Sequence, residues 1–423
     1  MDRETAVSLA SAADALTATG AELPPLPGVP MTHKDTNNSK GLRTTQGSRV
    51  FKNHIPDFDD LIIARFKAGG VVITGRSNVP EFGAGSHTFN EIFGTTTNPY
   101  DPRLSAGGNS GGVAAAIAAR IQAVGDGSGM GGSLRIPASF CNVVGFRPSF
   151  GVIPVMPSRN VWSWLTRTGP MAREVADVAL ARSVLAGPDS RLPFPNPVRS
   201  GRSTEPIQRG LTGLKIAWSP DFGIGIPVGK EVLRVLEGQL KIFEDLGAIA
   251  EEAAPNLSDA DQVFNNVRAF DDALVGLGDV VVEHGDLIKP EVRWNVAKGF
   301  ALSSQDWVDT ALARSRLETH MRTFFERYDV FASPSAQLLP FDASLRYPTA
   351  IDRRCGIRKL SRLDALSLRN FCNRNPRNVD PRWAQRIWFT GRNAISNESR
   401  NGFRAAAGRL RFRAGYGFCE AVT

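Results

Sequence analysis

Two glycine-rich segments hold the residues most able to do chemistry. Residues 105–112 read SAGGNSGG and residues 125–137 read GDGSGMGGSLRIP. As a dinucleotide loop, Gly127, Gly129 and Gly132 satisfy GxGxxG after a short apolar run, and backbone N–H groups would cradle a pyrophosphate. That fingerprint also wants an immediate helix and an acid about 20 residues further on. Here Pro137 interrupts, and the first acid after Asp126 is Glu174. As a nucleophile elbow, GNSGG at 108–112 fits GxSxG around Ser110, but an elbow needs an apolar strand feeding it. Residues 98–103 (NPYDPR) read as a turn instead. Either segment alone is explained as a glycine-rich turn; their pairing weakens that explanation.

Metal and disulfide chemistry have less support. His33, His54, His87, His284 and His320 are scattered without HExxH spacing, and Cys141, Cys355, Cys372 and Cys419 form no CxxC pair. No metal and no cofactor is expected.

The elements that must position these residues alternate as in an α/β protein. Asp57 reads as the cap of a helix over 58–67 that closes at Gly69-Gly70, and the β-branched run 71–74 reads as a buried strand. A helix over 112–120 leads into a short strand at 121–124, and 173–185 reads as a surface helix. A strand at 214–218 precedes a helix over 230–246, and a long helix over 306–328 runs into a strand at 329–332. The Pro-, Gly- and Arg-rich stretch 187–210 is the best linker, and no solenoid-length repeat occurs.

At 423 residues, with 42% hydrophobic and 22% charged, the chain can close a large core, and its 41 Gly and 27 Pro imply many tight turns. The net charge of +8 is unevenly placed: residues 353–423 hold fifteen Arg and one Lys against four acids, so this stretch carries +12 and the preceding body −4. The N-terminal 20 residues lack the basic start and apolar run of a signal peptide, and no apolar run approaches 18 residues. A cytoplasmic protein without a membrane partner is the expectation.

The order of motifs resembles the amidase signature family: GVPMTHKD at 28–35, RTTQGS at 43–48, GGNSGG at 107–112 and GMGGSLRIPASFCNVVGFRP at 129–148. The resemblance runs from about residue 24 to about residue 347 and is most specific over 107–148. It implies an α/β/α sandwich around a mixed central sheet, and hydrolysis of carboxamides by a Ser, cis-Ser, Lys triad. Carried over by position, Ser133 would be the nucleophile and Lys34 the base, while the relay serine falls on Asn109. Met130, Gly131 and Gly132 would supply the oxyanion hole.

The residue types suit those roles. A serine hydroxyl needs a base to take its proton, and a lysine can serve only where burial or nearby positive charge keeps it neutral. Pro30, Met31 and Thr32 precede Lys34, a setting compatible with a buried stem. Glycines beside Ser133 let backbone N–H groups approach a developing oxyanion. Taken alone, Lys34 reads as a solvated surface lysine, and Ser133 as the N-cap of a helix over 134–140.

Three departures from the family pattern weigh on activity. Asn109 has no hydroxyl with which to pass a proton, so Ser110 or a water would have to take over and the activity is expected to be impaired. Gly129 stands where the family usually has an acid. After Asp352 the expected Gly/Pro-rich segment that would complete the sheet does not follow. The expected organisation is therefore an amidase-type domain at 1–352, shortened at its N-terminus and incomplete at its C-terminal part, and a basic tail at 353–423 outside the family fold. Arg-over-Lys bias and the clustering of cysteines fit a tail translated out of frame better than an arm for nucleic acid, although Trp383, Trp388, Phe389, Phe403 and Phe412 lie among its arginines. The expected partner is a small-molecule amide, with a homodimer permitted; a non-catalytic binding protein derived from an amidase is the alternative.

Overall fold

The computed structural model describes residues 3–193 and 210–348, together with the backbones of two short ribbons beyond them: Ala350–Ile351 with Cys355–Gly356, and Leu410–Phe412 with Cys419–Ala421. Most of the 187–210 linker and most of the basic tail lie outside the described residues.

After helix α1 (Arg3–Ala18), strand β1 (Pro30–Lys34) pairs in parallel with β2 (Val72–Ser77), and α2 (Leu61–Ala68) lies between them in sequence. Ile62, Ile63 and Phe66 form the buried face of α2 and pack with Met31, Ile73, Val124, Val178 and Leu185 in one cluster. The N-cap is Asp60, three residues beyond the expected Asp57. Its carboxylate accepts from the backbone and side-chain N–H groups of Asn38 instead of capping the helix, which ties the loop after β1 to the helix start.

Two antiparallel ribbons follow, β3 (Phe89–Asn90) with β4 (Gly94–Thr95), and β5 (Thr97–Asn98) with β6 (Asp101–Ser105). The expected turn at 98–103 is thus a hairpin whose second strand leads into the first glycine segment. Helix α3 (Gly111–Ala118) then leads to β7 (Val124–Gly129), which pairs antiparallel with β9 (Arg167–Ala172); β8 (Val144–Gly145) lies on the other side of β9.

Here the sequence expectation needs correction. The strand expected at 121–124 begins at Val124 and continues through glycines that read as a turn. A Cβ at Gly125 would lie 2.4 Å from Val113 of α3, and one at Gly127 2.4 Å from Leu134, just before helix α4 (Arg135–Phe140). The glycines are there because Val113 of α3 and Leu134, the N-cap of α4, press on the strand, and no turn is required of them.

Helix α5 (Val175–Leu185) packs against β9. A parallel group follows in the order β11 (Ile249–Glu252), β10 (Lys215–Trp218), β12 (Val330–Ala332), with α6 (Lys230–Asp245) between β10 and β11 in sequence. Leu236, Leu240 and Phe243 of α6 lean on it. Helices α7 (Ala260–Asp272), α8 (Gly278–His284) and α9 (Pro290–Phe300) lie in a region for which the sequence suggested no element. Val263, Phe264 and Val267 of α7 pack with Ala313, Leu317, Met321 and Phe325 of α10 (Ser304–Arg327). The class is α/β, with helices around parallel and antiparallel strand pairings.

Candidate active site

Lys34 ends β1, beside the buried residues of β7. The Asp126 carboxylate accepts from the Lys34 backbone N–H at 3.1 Å, lies 3.2 Å from His33 Nδ1, and accepts from the Asn37 amide. Burial works against its charge, yet His33 and these donors hold Asp126 below the usual carboxylate range. Lys34 itself is fully buried, and its Nζ donates to the Ser128 carbonyl at 2.6 Å and to Ser128 Oγ at 3.0 Å. Burial lowers its pKa from 10.5 to about 7, against the opposing charge of Asp126. At neutral pH a large fraction of Lys34 is therefore a free amine able to accept a proton.

Ser128 was not singled out from the sequence. The usable signal is strand periodicity: once residues 124–129 are read as a strand, Asp126 and Ser128 fall on one face.

Ser133 is half-buried, directly after the bends at 130–132. The N-cap of α4 is Leu134, so the expected capping role of Ser133 does not arise. A Cβ at Gly129 would lie 2.4 Å from Ser133 Cβ and 2.6 Å from Ser133 Oγ, so the missing side chain at 129 is what lets Ser133 settle there. The carbonyls of the turn are held from within. Arg147 donates to the Gly129 carbonyl at 2.9 Å and to the Leu165 carbonyl at 2.8 Å, Arg135 donates to the Gly131 carbonyl, and the N–H groups of Arg135 and Ile136 donate to the Gly132 carbonyl. Among the described residues the N–H groups of Met130, Gly131 and Gly132 have no protein acceptor, which suits donors aimed at an oxyanion.

Asn109 sits at a φ of 32°, uncommon for a residue other than glycine. Its amide donates to the Gly83 carbonyl, and its buried Oδ1 has no hydrogen-bond partner. Ser110, fully buried, turns its hydroxyl onto the backbone of Ser128: it accepts from the Ser128 N–H at 3.3 Å and lies 3.4 Å from the Ser128 carbonyl.

Lys34, Asn109, Ser128 and residues 129–133 line one cavity of about 760 Å³; Ser110 is not among its lining residues. The far wall is helical, with Phe264, Arg268 and Asp272 from α7 and Trp294 and Asn295 from α9. Asp272 is pushed up to about 6 by burial, against the pull of Arg268 and a hydrogen bond from Asn295. The helical spacing of Val263, Phe264 and Val267 could have found α7, but no motif ties the polar residues of this wall to the glycine segments. Among the described residues no group of three potential metal ligands occurs, and no helix is long and apolar enough to cross a membrane.

A family model described as Amidase matches residues 1–358. The chain belongs to the amidase family. It is 34% identical over 367 residues to a glutamyl-tRNA(Gln) amidotransferase subunit from Moorella thermoacetica, a match covering 80% of this chain and 74% of that protein. The corresponding protein of Thermus thermophilus is 34% identical over 357 residues, covering 78% and 74%. Among solved structures, a bacterial aryl acylamidase of the amidase signature family superposes with a TM-score of 0.79 at 27% identity, covering 87% of this chain and 79% of that one. Another amidase structure gives a TM-score of 0.75 at 26% identity, covering 88% and 81%. This amidase-family chain is accordingly an amidohydrolase, acting on amide C–N bonds.

Proposed function

We propose that the chain hydrolyses a small carboxamide through an acyl-enzyme, with Ser133 as nucleophile and Lys34 as base. The observation that carries this reading is the placement of a fully buried Lys34 and a half-buried Ser133 on the wall of one cavity. Ser133 Oγ attacks the amide carbonyl carbon while its proton moves toward the Lys34 amine. The N–H groups of Met130, Gly131 and Gly132 take the negative charge on the carbonyl oxygen. The C–N bond breaks as the departing nitrogen takes a proton from the Lys34 ammonium, and water then cleaves the ester. With Asn109 in place of a relay hydroxyl, turnover is impaired relative to an amidase that has one, and Asn109→Ser raises it. A cytoplasmic location and a small-molecule amide as partner belong to the same proposal.

A serine-reactive fluorophosphonate probe tests the assignment. Labelling mapped to Ser133, absent in Ser133→Ala and slowed in Lys34→Met, is expected. Labelling at another serine, or unchanged in Ser133→Ala, overturns it.

A further inference from the structure

We propose that in this chain the hydroxyl of Ser128 carries the proton between Ser133 and Lys34, the duty for which Asn109 has no hydroxyl. This rests on the reading of Ser133 as nucleophile and Lys34 as base. Thr36 and Thr168 also line the cavity, but neither is hydrogen-bonded to Lys34, and the contacts of Asn109, Ser110 and Ser128 sort the rest. Asn109 directs its amide at the Gly83 carbonyl. Ser110 is fully buried, and its hydroxyl is spent on the backbone of Ser128. Ser128 lines the cavity and has its Oγ 3.0 Å from Lys34 Nζ. Among the described residues, no other side-chain hydroxyl is hydrogen-bonded to Lys34.

The second contact of Lys34, to the Ser128 carbonyl at 2.6 Å, fixes the amine so that its remaining directions include the hydroxyl of the same residue. Ser133 is close by along the chain: its Cβ and Oγ occupy the space above Gly129, the next residue after Ser128.

A hydroxyl can donate and accept at once, which a relay needs and a carboxamide does poorly. As Ser133 Oγ bonds to the substrate carbonyl carbon, its proton passes through one cavity water to Ser128 Oγ, and the Ser128 proton passes to the lone pair of neutral Lys34. Ser128 ends as it began, Lys34 becomes an ammonium, and the carbonyl π electrons move to the oxyanion. When the C–N bond breaks, the proton returns along the same path to the departing nitrogen. No outside oxidant, reductant or further reactant enters.

The test compares the rate of fluorophosphonate labelling at Ser133 in wild type, Ser128→Ala, Ser128→Thr, Asn109→Ser and the double variant Asn109→Ser/Ser128→Ala, with thermal melts to confirm folding. General acid–base contributions put the expected loss in Ser128→Ala at about 10²-fold, with Ser128→Thr recovering most of it. The decisive arm is the double variant. If Ser128 is the relay, a hydroxyl restored at 109 makes Ser128 redundant, and the loss from Ser128→Ala shrinks to a few-fold. The same factor in both backgrounds, or no loss in either, assigns Ser128 a structural role and overturns the proposal. Absence of Ser133 labelling in both wild type and Asn109→Ser brings down the nucleophile assignment itself, and this proposal with it.

Discussion

The base corner and the relay corner of the cavity are built by opposite means. At the base corner two strands meet, and Asp126 gathers the Lys34 backbone, His33 and Asn37 around one buried carboxylate. At the relay corner a loop residue, Asn109, sits at positive φ with a buried oxygen that has no partner. Here β1 and β7 lie side by side and are joined through one shared carboxylate, so replacing one residue disturbs several others. A loop tolerates a change of residue type and absorbs it as local strain. The strain at Asn109 thus sits in the loop, while buried Lys34 and Asp126 are held by mutual hydrogen bonds.

Substitutions that break the base corner should have the largest effects. Lys34→Met is expected to reduce Ser133 labelling by at least about 10³-fold, while stabilising the fold at pH 7 and below. The sign follows from linkage. Between about pH 7 and 10.5 the unfolded lysine holds a proton that the folded one lacks, so wild-type stability rises with pH through that window. Lys34→Met removes that slope, worth up to about 5 kcal/mol, and urea unfolding at several pH values measures it. For the wild type, the labelling rate should rise with pH through about 7 as Lys34 loses its proton.

Asp126→Asn tests whether the corner is over-determined. Loss of the buried charge leaves the Lys34 N–H and the Asn37 amide poorly matched, and the expected cost is about 3 kcal/mol by urea unfolding. A cost no larger than the change of about 1 kcal/mol expected at position 109 would erase the contrast between the corners.

The arginine behind the glycine turn should matter less. Arg147→Met frees the Gly129 and Leu165 carbonyls, and a misplaced oxyanion donor is expected to slow labelling by roughly 10-fold to 10²-fold. The smallest effect is predicted at the relay corner. Asn109→Gly relieves both the positive φ and the unpartnered oxygen, and should stabilise the protein by no more than about 1 kcal/mol in the same unfolding assay.

Lys34, Ser133 and the 130–132 turn could be named as candidates from the sequence because contiguous motifs carry them, with Gly131 and Gly132 leading into Ser133. The helix-strand alternation was legible at α6, whose apolar periodicity is strong, although the similarly amphipathic α7 was missed. Three things belonged to the tertiary structure alone. Residues 124–129 are a strand because β9 pairs with them along their whole length, while Val113 and Leu134 leave no room for a side chain at Gly125 and Gly127; local propensity reports neither. Ser128 meets Lys34 across 94 positions of chain, a juxtaposition set by the packing of β7 beside β1. The pKa of Lys34 near 7 comes from complete burial, which no residue type at position 34 announces. Residue types set which groups could react; folding set which of them touch, and how much water each one keeps.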